Sequence, residues 1–77
     1  MADVRIEYDP AVDAANIYFV EELAPGIVKR KYPCDPVGVH GMINLAFDAE
    51  WHLLYLEIIG ASKRLPPALL EAAERLT

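Results

Sequence analysis

Four side chains near the middle of the sequence are of the types that bind transition metals. They are Cys34, Asp35, His40 and His52. Zinc sites usually draw their ligands from tight sequence pairs, and these residues are spaced more widely than that. The spacing argues against a closed metal site, and we predict no bound metal. The simpler interpretation is a buried cysteine accompanied by two surface histidines.

Nucleophilic catalysis would have to use Cys34 or Ser62 as the attacking group. Either would need a neighbouring base and a further group that orients the base. Ser62 is followed by Lys63 and Arg64, but consecutive side chains on an extended segment point apart. We therefore predict no catalytic residue and no cofactor. An enzyme built on Cys34 and the two histidines is the third and least supported of our hypotheses.

Ser62, Lys63 and Arg64 stand just before a pair of prolines, Pro66 and Pro67. Proline fits the first turn of a helix, where its missing N–H costs nothing, so the cations are expected near a helix N-terminus. Exposed backbone N–H groups, the helix dipole and two cations would bind a phosphate or a partner's carboxylate. The alternative is a solvated pair of charges that offsets a net charge of −5.

Trp51, Leu53 and Tyr55 form a second candidate site, for contact with a partner or with a second copy of the chain. A tryptophan at a hairpin tip either packs on a neighbouring strand or is presented to a partner, where it is a common anchor. Burial or a dimer contact is favoured over recognition of a different protein.

The elements that must position these residues are strands followed by one helix. Alternating or β-branched apolar runs, separated by proline, glycine and aspartate, predict strands at 4–8, 15–20, 27–32, 42–47 and 52–59. The third run is short, charged and followed by Pro33, which is typical of an edge strand. The fold class is therefore α+β: a small antiparallel β-meander of about four to five strands with one C-terminal helix on one face. We predict a single domain over 1–77, with a β-rich region at 3–59, a connector at 60–66 and the helix at 67–76.

The last predicted strand is apolar on both of its faces. Its two sets of side chains are Leu54, Leu56 and Ile58 on one face, and Leu53, Tyr55 and Ile59, with Glu57 among them, on the other. Such a strand must be covered on both faces, and one helix covers only one. A chain of 77 residues is marginally stable alone, and small folds often gain a second subunit. We therefore predict a homodimer that uses the sheet face without the helix.

Composition excludes several classes of partner. Twelve acidic residues stand against seven basic ones, whereas nucleic-acid binders need lysine and arginine to neutralise phosphates. The acidic, alternating start is unlike a signal peptide, and no apolar run reaches the roughly 20 residues of a membrane span. The sole cysteine has no partner for an internal disulfide, which fits a reducing compartment. We predict a cytoplasmic protein that binds neither nucleic acid nor membrane.

Two segments at the ends of the chain carry a resemblance to a known family. The first comprises Tyr8-Asp9-Pro10, Asp13-Ala14 and Ile17-Tyr18, and the second comprises Asp48, Leu53, Leu56-Glu57-Ile58 and Gly60-Ala61-Ser62-Lys63-Arg64-Leu65. These segments resemble the YuzE-like family, small bacterial proteins that form a domain family of unknown function. The resemblance implies a β-meander with a terminal helix. It also implies an antitoxin or binding role, because some similar genes lie beside small toxin-like partners.

The chain departs from the family pattern at Trp51 and Tyr55, where glycine is usual. Glycine suits a turn position with positive φ, which tryptophan occupies poorly, so this hairpin must use a different turn or bear strain. The residues and the resemblance together predict a non-enzymatic protein-interaction module. The alternative is a protein that binds a small anion or a phosphate ligand.

Overall fold

A computed structural model describes residues 4–34 and 42–75 of the chain. Its elements, in chain order, are β1 (Arg5–Asp9), β2 (Ala14–Tyr18), β3 (Arg30–Cys34), β4 (Ile43–Phe47), β5 (Leu53–Ile59), α1 (Ala61–Arg64), α2 (Pro67–Ala72) and β6 (Glu74–Arg75). The predicted first, second, fourth and fifth strands correspond to β1, β2, β4 and β5 with small shifts at their ends. Neither described helix has the length and apolarity that a membrane crossing requires.

The strands form one sheet in the order β3-β4-β5-β2-β1-β6. Neighbouring strands are antiparallel except β1 and β6, which are parallel. The α+β class and the antiparallel sheet are confirmed, but the sheet is not a simple meander, because β5 lies between β4 and β2. This interior place suits β5, the longest strand, since both of its edges are paired and side chains on its neighbours flank its own.

The break between the first two predicted strands is a tight turn. The Asp9 carboxylate accepts a hydrogen bond from the backbone N–H of Ala11 at 3.0 Å, an aspartate turn that reverses the chain after β1. Asp13 closes the turn with φ of 52°, a left-handed conformation that aspartate tolerates better than most residues. β1 and β2 then pair from Arg5 opposite Tyr18 to Asp9 opposite Ala14.

The third strand forms at the edge of the sheet, as predicted, but further along the chain than expected. Gly26 adopts φ of 75°, and the strand begins only at Arg30, directly after Lys29 donates its N–H to the Phe47 carbonyl. Pro33 lies inside β3 opposite Asn44. A proline is tolerated there because an edge strand needs ladder hydrogen bonds on one side only.

One face of the sheet carries the core, and we call it the covered face. Its buried residues are Tyr8, Ala15, Ile58, Ala61 and Ala73, and the partly buried residues packed against them are Ile6, Ile17, Ile43, Leu56, Leu65 and Leu70. Leucines from the C-terminal segment and apolar residues of four strands thus meet on one side of the sheet. Both described helical segments contribute to this face, α1 through Ala61 and α2 through Leu70.

The C-terminal segment differs from the single long helix that was predicted. The predicted connector at 60–66 contains α1, and the predicted helix at 67–76 is the six-residue α2, which ends at Ala72. Ala73 is extended, with φ of −71° and ψ of 148°, and Glu74 and Arg75 pair with β1. A helix this short has little stability of its own, whereas the open edge of β1 supplies backbone hydrogen-bond partners.

Candidate functional site

The predicted anion-binding residues lie in a helix rather than before one. Ser62, Lys63 and Arg64 belong to α1, and Gly60 precedes that helix with φ of 74° and no side-chain cap of its own. The sequence placed the helix start at Pro67 because of its prolines. The glycine, which takes the left-handed conformation without penalty, is the signal that an earlier helix begins at Ala61.

The N-terminus of α1 is occupied by a carboxylate from the β1–β2 turn. The Ser62 N–H donates to Asp13 Oδ1 at 2.9 Å, and the Ser62 hydroxyl donates to Asp13 Oδ2 at 2.7 Å. Tyr8 also donates its hydroxyl to Asp13 Oδ1 at 2.7 Å, and the Asp13 carbonyl accepts the N–H groups of Gly60 and Ala61. The hydrogen bond from the Ser62 hydroxyl is the main cause that lowers the pKa of Asp13.

Asp13 therefore fills the place that the sequence assigned to an external anion. A phosphate at Ser62 would have to displace a carboxylate that is already well bonded. Lys63 is exposed, while Arg64 is half-buried and its Nε has no hydrogen-bond partner among the described residues. Successive side chains of a helix project in different directions, which does not favour a common ligand position for all three. Sequence reasoning missed Asp13 because 49 positions separate it from Ser62.

Trp51 belongs to a group of rings beside the β4–β5 hairpin. The rings of Tyr32, Phe47 and Trp51 lie 5.6 to 6.1 Å apart between centroids, and Arg30 lies over the Trp51 ring at 4.3 Å. We call these four residues the aromatic cluster. Tyr32 is 46% exposed and Trp51 is 54% exposed. Sequence reasoning identified Trp51 but not the other three, which come from β3 and β4.

The hairpin holds Trp51 in a strained conformation. Its φ is 69°, in the region that favours glycine and is costly for a bulky side chain. Of the two alternatives that the sequence left open, a different turn or a strained one, the positive φ corresponds to the strained turn. Asp48 stabilises the turn, since its Oδ1 accepts the N–H groups of Glu50 and His52, both at 2.9 Å. Arg30 adds hydrogen bonds to the carbonyl oxygens of Asp48 and Ala49.

The Asp48 carboxylate also bonds to the side chain of His52 in this turn. Asp48 Oδ2 is 2.9 Å from Nδ1 of His52. The hydrogen bond from the His52 N–H is the main cause that lowers the pKa of Asp48. In return, the side-chain hydrogen bond and the charge of Asp48 raise the pKa of His52. The His52 side chain is 69% exposed, as predicted for a surface histidine.

Tyr55 lies on the face of the sheet opposite to the aromatic cluster. Residues directly paired across strands share a face, and Tyr55 pairs with Tyr18 and Ala46, whereas the ring-bearing Phe47 comes one position later. The predicted contact residues therefore do not form one surface. Leu53, at the start of β5, is 37% exposed.

The face that carries Tyr55 holds neither of the described helices, and we call it the open face. Asp9, Ala14 and Ile59 form one short row of it. Two longer rows each cross all five antiparallel strands. One, the tyrosine row, comprises Arg5, Tyr18, Tyr55, Ala46 and Lys31; the other, the acidic row, comprises Glu7, Asn16, Glu57, Asn44 and Pro33.

Contacts along the rows tie neighbouring strands together. The rings of Tyr18 and Tyr55 are 5.6 Å apart between centroids. Arg5 lies 4.6 Å from the Tyr18 ring centroid, and Lys31 lies 5.7 Å from that of Tyr55. Burial, together with the charge and hydrogen bond of Glu7, raises the pKa of Tyr18. A hydrogen bond with Tyr55 raises the pKa of Lys31.

The metal and enzyme hypotheses gain no support from the geometry. Cys34 is exposed, which corrects the predicted buried cysteine; it lies at the end of an edge strand that nothing described covers. It pairs with Ile43 at one end of β4, whereas His52 follows the other end. His40 and Asp35 fall outside the described residues. Within 4–34 and 42–75, no three histidine, cysteine or acidic side chains gather as a metal site would require.

The chain was compared with known proteins by sequence and by structure. The resemblance to the YuzE-like family stays a prediction. Models of protein families, curated proteins and solved structures were all compared with the chain, and none of them matches it.

Proposed function

We propose that this chain is a non-enzymatic protein-interaction module that binds its partner through the aromatic cluster. The observation that carries the proposal is the half-exposed Trp51, held at a positive φ and in contact with Arg30 and two further rings. Tryptophan, tyrosine and arginine are the residue types most enriched among the side chains that dominate binding energy.

The strain at Trp51 supports a role in binding. A chain selected only for folding would place glycine at this turn position, where φ is 69°. Strained backbone of this kind persists where the surrounding structure over-determines it, often at functional sites. Asp48 and Arg30 supply that support here through hydrogen bonds to the turn.

Pre-ordering of the cluster favours tight binding. Arg30 is held by two carbonyl oxygens, at 3.3 and 3.2 Å, as well as by the Trp51 ring. Side chains that are already ordered lose less conformational entropy on association. Covering the exposed part of one large aromatic side chain contributes on the order of 1–2 kcal/mol.

The working form of the module is a homodimer in the cytoplasm. A small sheet with one helix-free face gains stability from a second subunit, and the open face is the surface left for it. The exposed thiol of Cys34 suits a reducing compartment. The aromatic cluster lies on the other side of the sheet, so self-association leaves it accessible to a different protein, such as the small toxin-like partners that the family resemblance implies.

The alternative, binding of a small anion, has weaker support. The amide and hydroxyl of Ser62 already bind the Asp13 carboxylate. Of the two cations beside it, Lys63 is exposed and Arg64 is half-buried, and a single solvated lysine gives little affinity.

Affinity capture from the native host, with paired variants, tests the proposal. The bait chain is compared with Trp51→Ala and with Val12→Ala, which removes another exposed apolar side chain, 66% exposed and away from the cluster. We expect one protein to co-purify with the bait and the Val12 variant and to be lost with the Trp51 variant. Equal capture by all three chains would refute a binding role for the cluster.

A further inference from the structure

We propose that the open face binds a second copy of the chain across a two-fold axis that runs perpendicular to the strands. The tyrosine row of each copy then lies over the acidic row of the other. The inference rests on the proposed self-association and adds to it the orientation of the two subunits and the residues that fix this orientation.

The charges of the open face are segregated by row. Arg5 and Lys31 stand at the two ends of the tyrosine row, while Glu7 and Glu57 stand in the acidic row. The two rows are separated by two residues along each strand, so they run side by side across the sheet. A face with cations in one row and acids in the next is complementary to a copy of itself only in certain orientations.

Two sheets that pack face to face with aligned strands allow two orientations of the two-fold axis. An axis parallel to the strands, through the interior strand β5, places Glu57 over Glu57 of the other copy and Arg5 over Lys31. Both contacts bring like charges together, which destabilises the complex. An axis perpendicular to the strands exchanges the rows and keeps each strand over its own copy.

The perpendicular axis produces favourable contacts along the rows. Arg5 comes over Glu7 of the other copy, and the Tyr55 hydroxyl comes over Glu57. Arg5 already lies 3.6 Å from Glu7 of its own chain, so two copies form a network of four alternating charges. Networks of this kind contribute more than isolated surface pairs.

Apolar surface at the centre of the open face drives the association, and the charges set the orientation of the two copies. Tyr18 and Tyr55 are half-buried, and Ala46 beside them is fully buried within one chain. Ring faces covered by a second sheet lose water contact, which is the main driving force for association. The Asn44 amide already donates to the Glu57 carboxylate at 2.8 Å. Glu57 therefore keeps this hydrogen bond when a second copy covers it.

Charge reversal at one pair of residues tests the arrangement. Arg5→Glu places two acids opposite each other at both symmetric contacts, and Glu7→Arg places two cations there. Each variant alone should dimerise at least roughly tenfold more weakly than the wild-type chain. An equimolar mixture of the two variants should regain the dimer, because both contacts then join opposite charges. Glu71→Arg, on exposed α2, matches the charge change away from the face and should dimerise normally.

Sedimentation equilibrium at micromolar concentrations separates the outcomes. A wild-type dimer, two weakened variants and a restored mixture support the inference. If the wild-type chain sediments as a monomer, self-association and the inference both fail. If it is a dimer and the variants dimerise as well, or the mixture stays monomeric, the two-fold arrangement fails while self-association stands. Recovery in the mixture also shows that both variants fold.

Discussion

Asp13 and Asp48 perform the same chemistry in two turns, with different consequences for the molecule. Both carboxylates accept backbone N–H groups, and both have a lowered pKa for that reason among others. The bonds of the Asp48 carboxylate reach at most four residues along the chain, whereas those of the Asp13 carboxylate reach Ser62, 49 positions away. The first aspartate joins the β1–β2 turn to α1. The second shapes one hairpin and presents Trp51.

The backbone of the two turns makes the same distinction. Asp13 itself has the positive φ of 52° in its turn, and aspartate enters this region at small cost. In the other turn the positive φ of 69° falls on Trp51, where it is expensive. One turn is arranged for stability and the other accepts strain. In the proposed function, the Asp13 turn serves the fold and the Asp48 turn presents Trp51 to a partner.

The largest expected effect is the loss of the Asp13 carboxylate. Asp13→Ala removes its hydrogen bonds to Ser62 and Tyr8 and puts a β-carbon without polar support at a positive φ. Its urea midpoint should fall further than that of Asp48→Ala, which breaks only local bonds. Asn tolerates the same turn conformation as Asp, so the urea midpoint of Asp13→Asn should lie between those of Asp13→Ala and Asp48→Ala. A larger loss for Asp48→Ala would invert the comparison.

The next effect isolates one bond of the same contact. Ser62→Ala removes the hydroxyl that donates to Asp13 Oδ2 at 2.7 Å but keeps the backbone N–H bond. The urea midpoint should fall, but by less than in Asp13→Ala, because only one of the hydrogen bonds of this contact is lost. Ser62→Thr keeps the hydroxyl and is the matched control. Equal losses in both variants would point to packing rather than to this bond.

The sequence predicted local features of the fold but missed contacts between distant segments. β1, β2, β4, β5 and the break between the first two strands follow from patterns within a few residues, and these predictions were confirmed. The bond between Asp13 and Ser62 joins distant segments, and no local pattern reports it, although both residues occur in the segments that resemble the YuzE-like family. The predicted long helix failed for a similar reason, because Glu74 finds its partner on β1.

A smaller effect tests the strain at Trp51. At ordinary positions alanine is better than glycine, because glycine loses more conformational freedom on folding. At a φ of 69° the order should reverse, with Trp51→Gly more stable than Trp51→Ala by about 1 kcal/mol. Both variants lose the ring and should lose the partner equally. If Ala is the more stable, the turn carries no strain worth relieving.

The smallest effect concerns His52, which is exposed and bonded to Asp48 at 2.9 Å. Asp48 raises the pKa of His52 above its ordinary 6.5. The stability that this pair contributes is therefore complete below pH 6.5 and is lost as the pH rises through the folded-state pKa of His52. Asp13 behaves oppositely. Its pKa is lowered from 3.8, so its contribution is complete above 3.8 and disappears as acid protonates the folded carboxylate.

An NMR titration of the imidazole ring measures the His52 pKa directly in the wild-type chain and in Asp48→Asn. The variant keeps the size of the side chain but removes its charge, so the His52 pKa should fall toward 6.5. Asp13→Asn removes a carboxylate from the other turn and should leave the His52 titration in place as long as the chain is folded. If Asp48→Asn leaves the His52 pKa unchanged, the pair is not coupled. If Asp13→Asn moves it as far as Asp48→Asn does, the two turns are not independent, and the division between a turn that holds the fold and a turn that presents Trp51 does not hold.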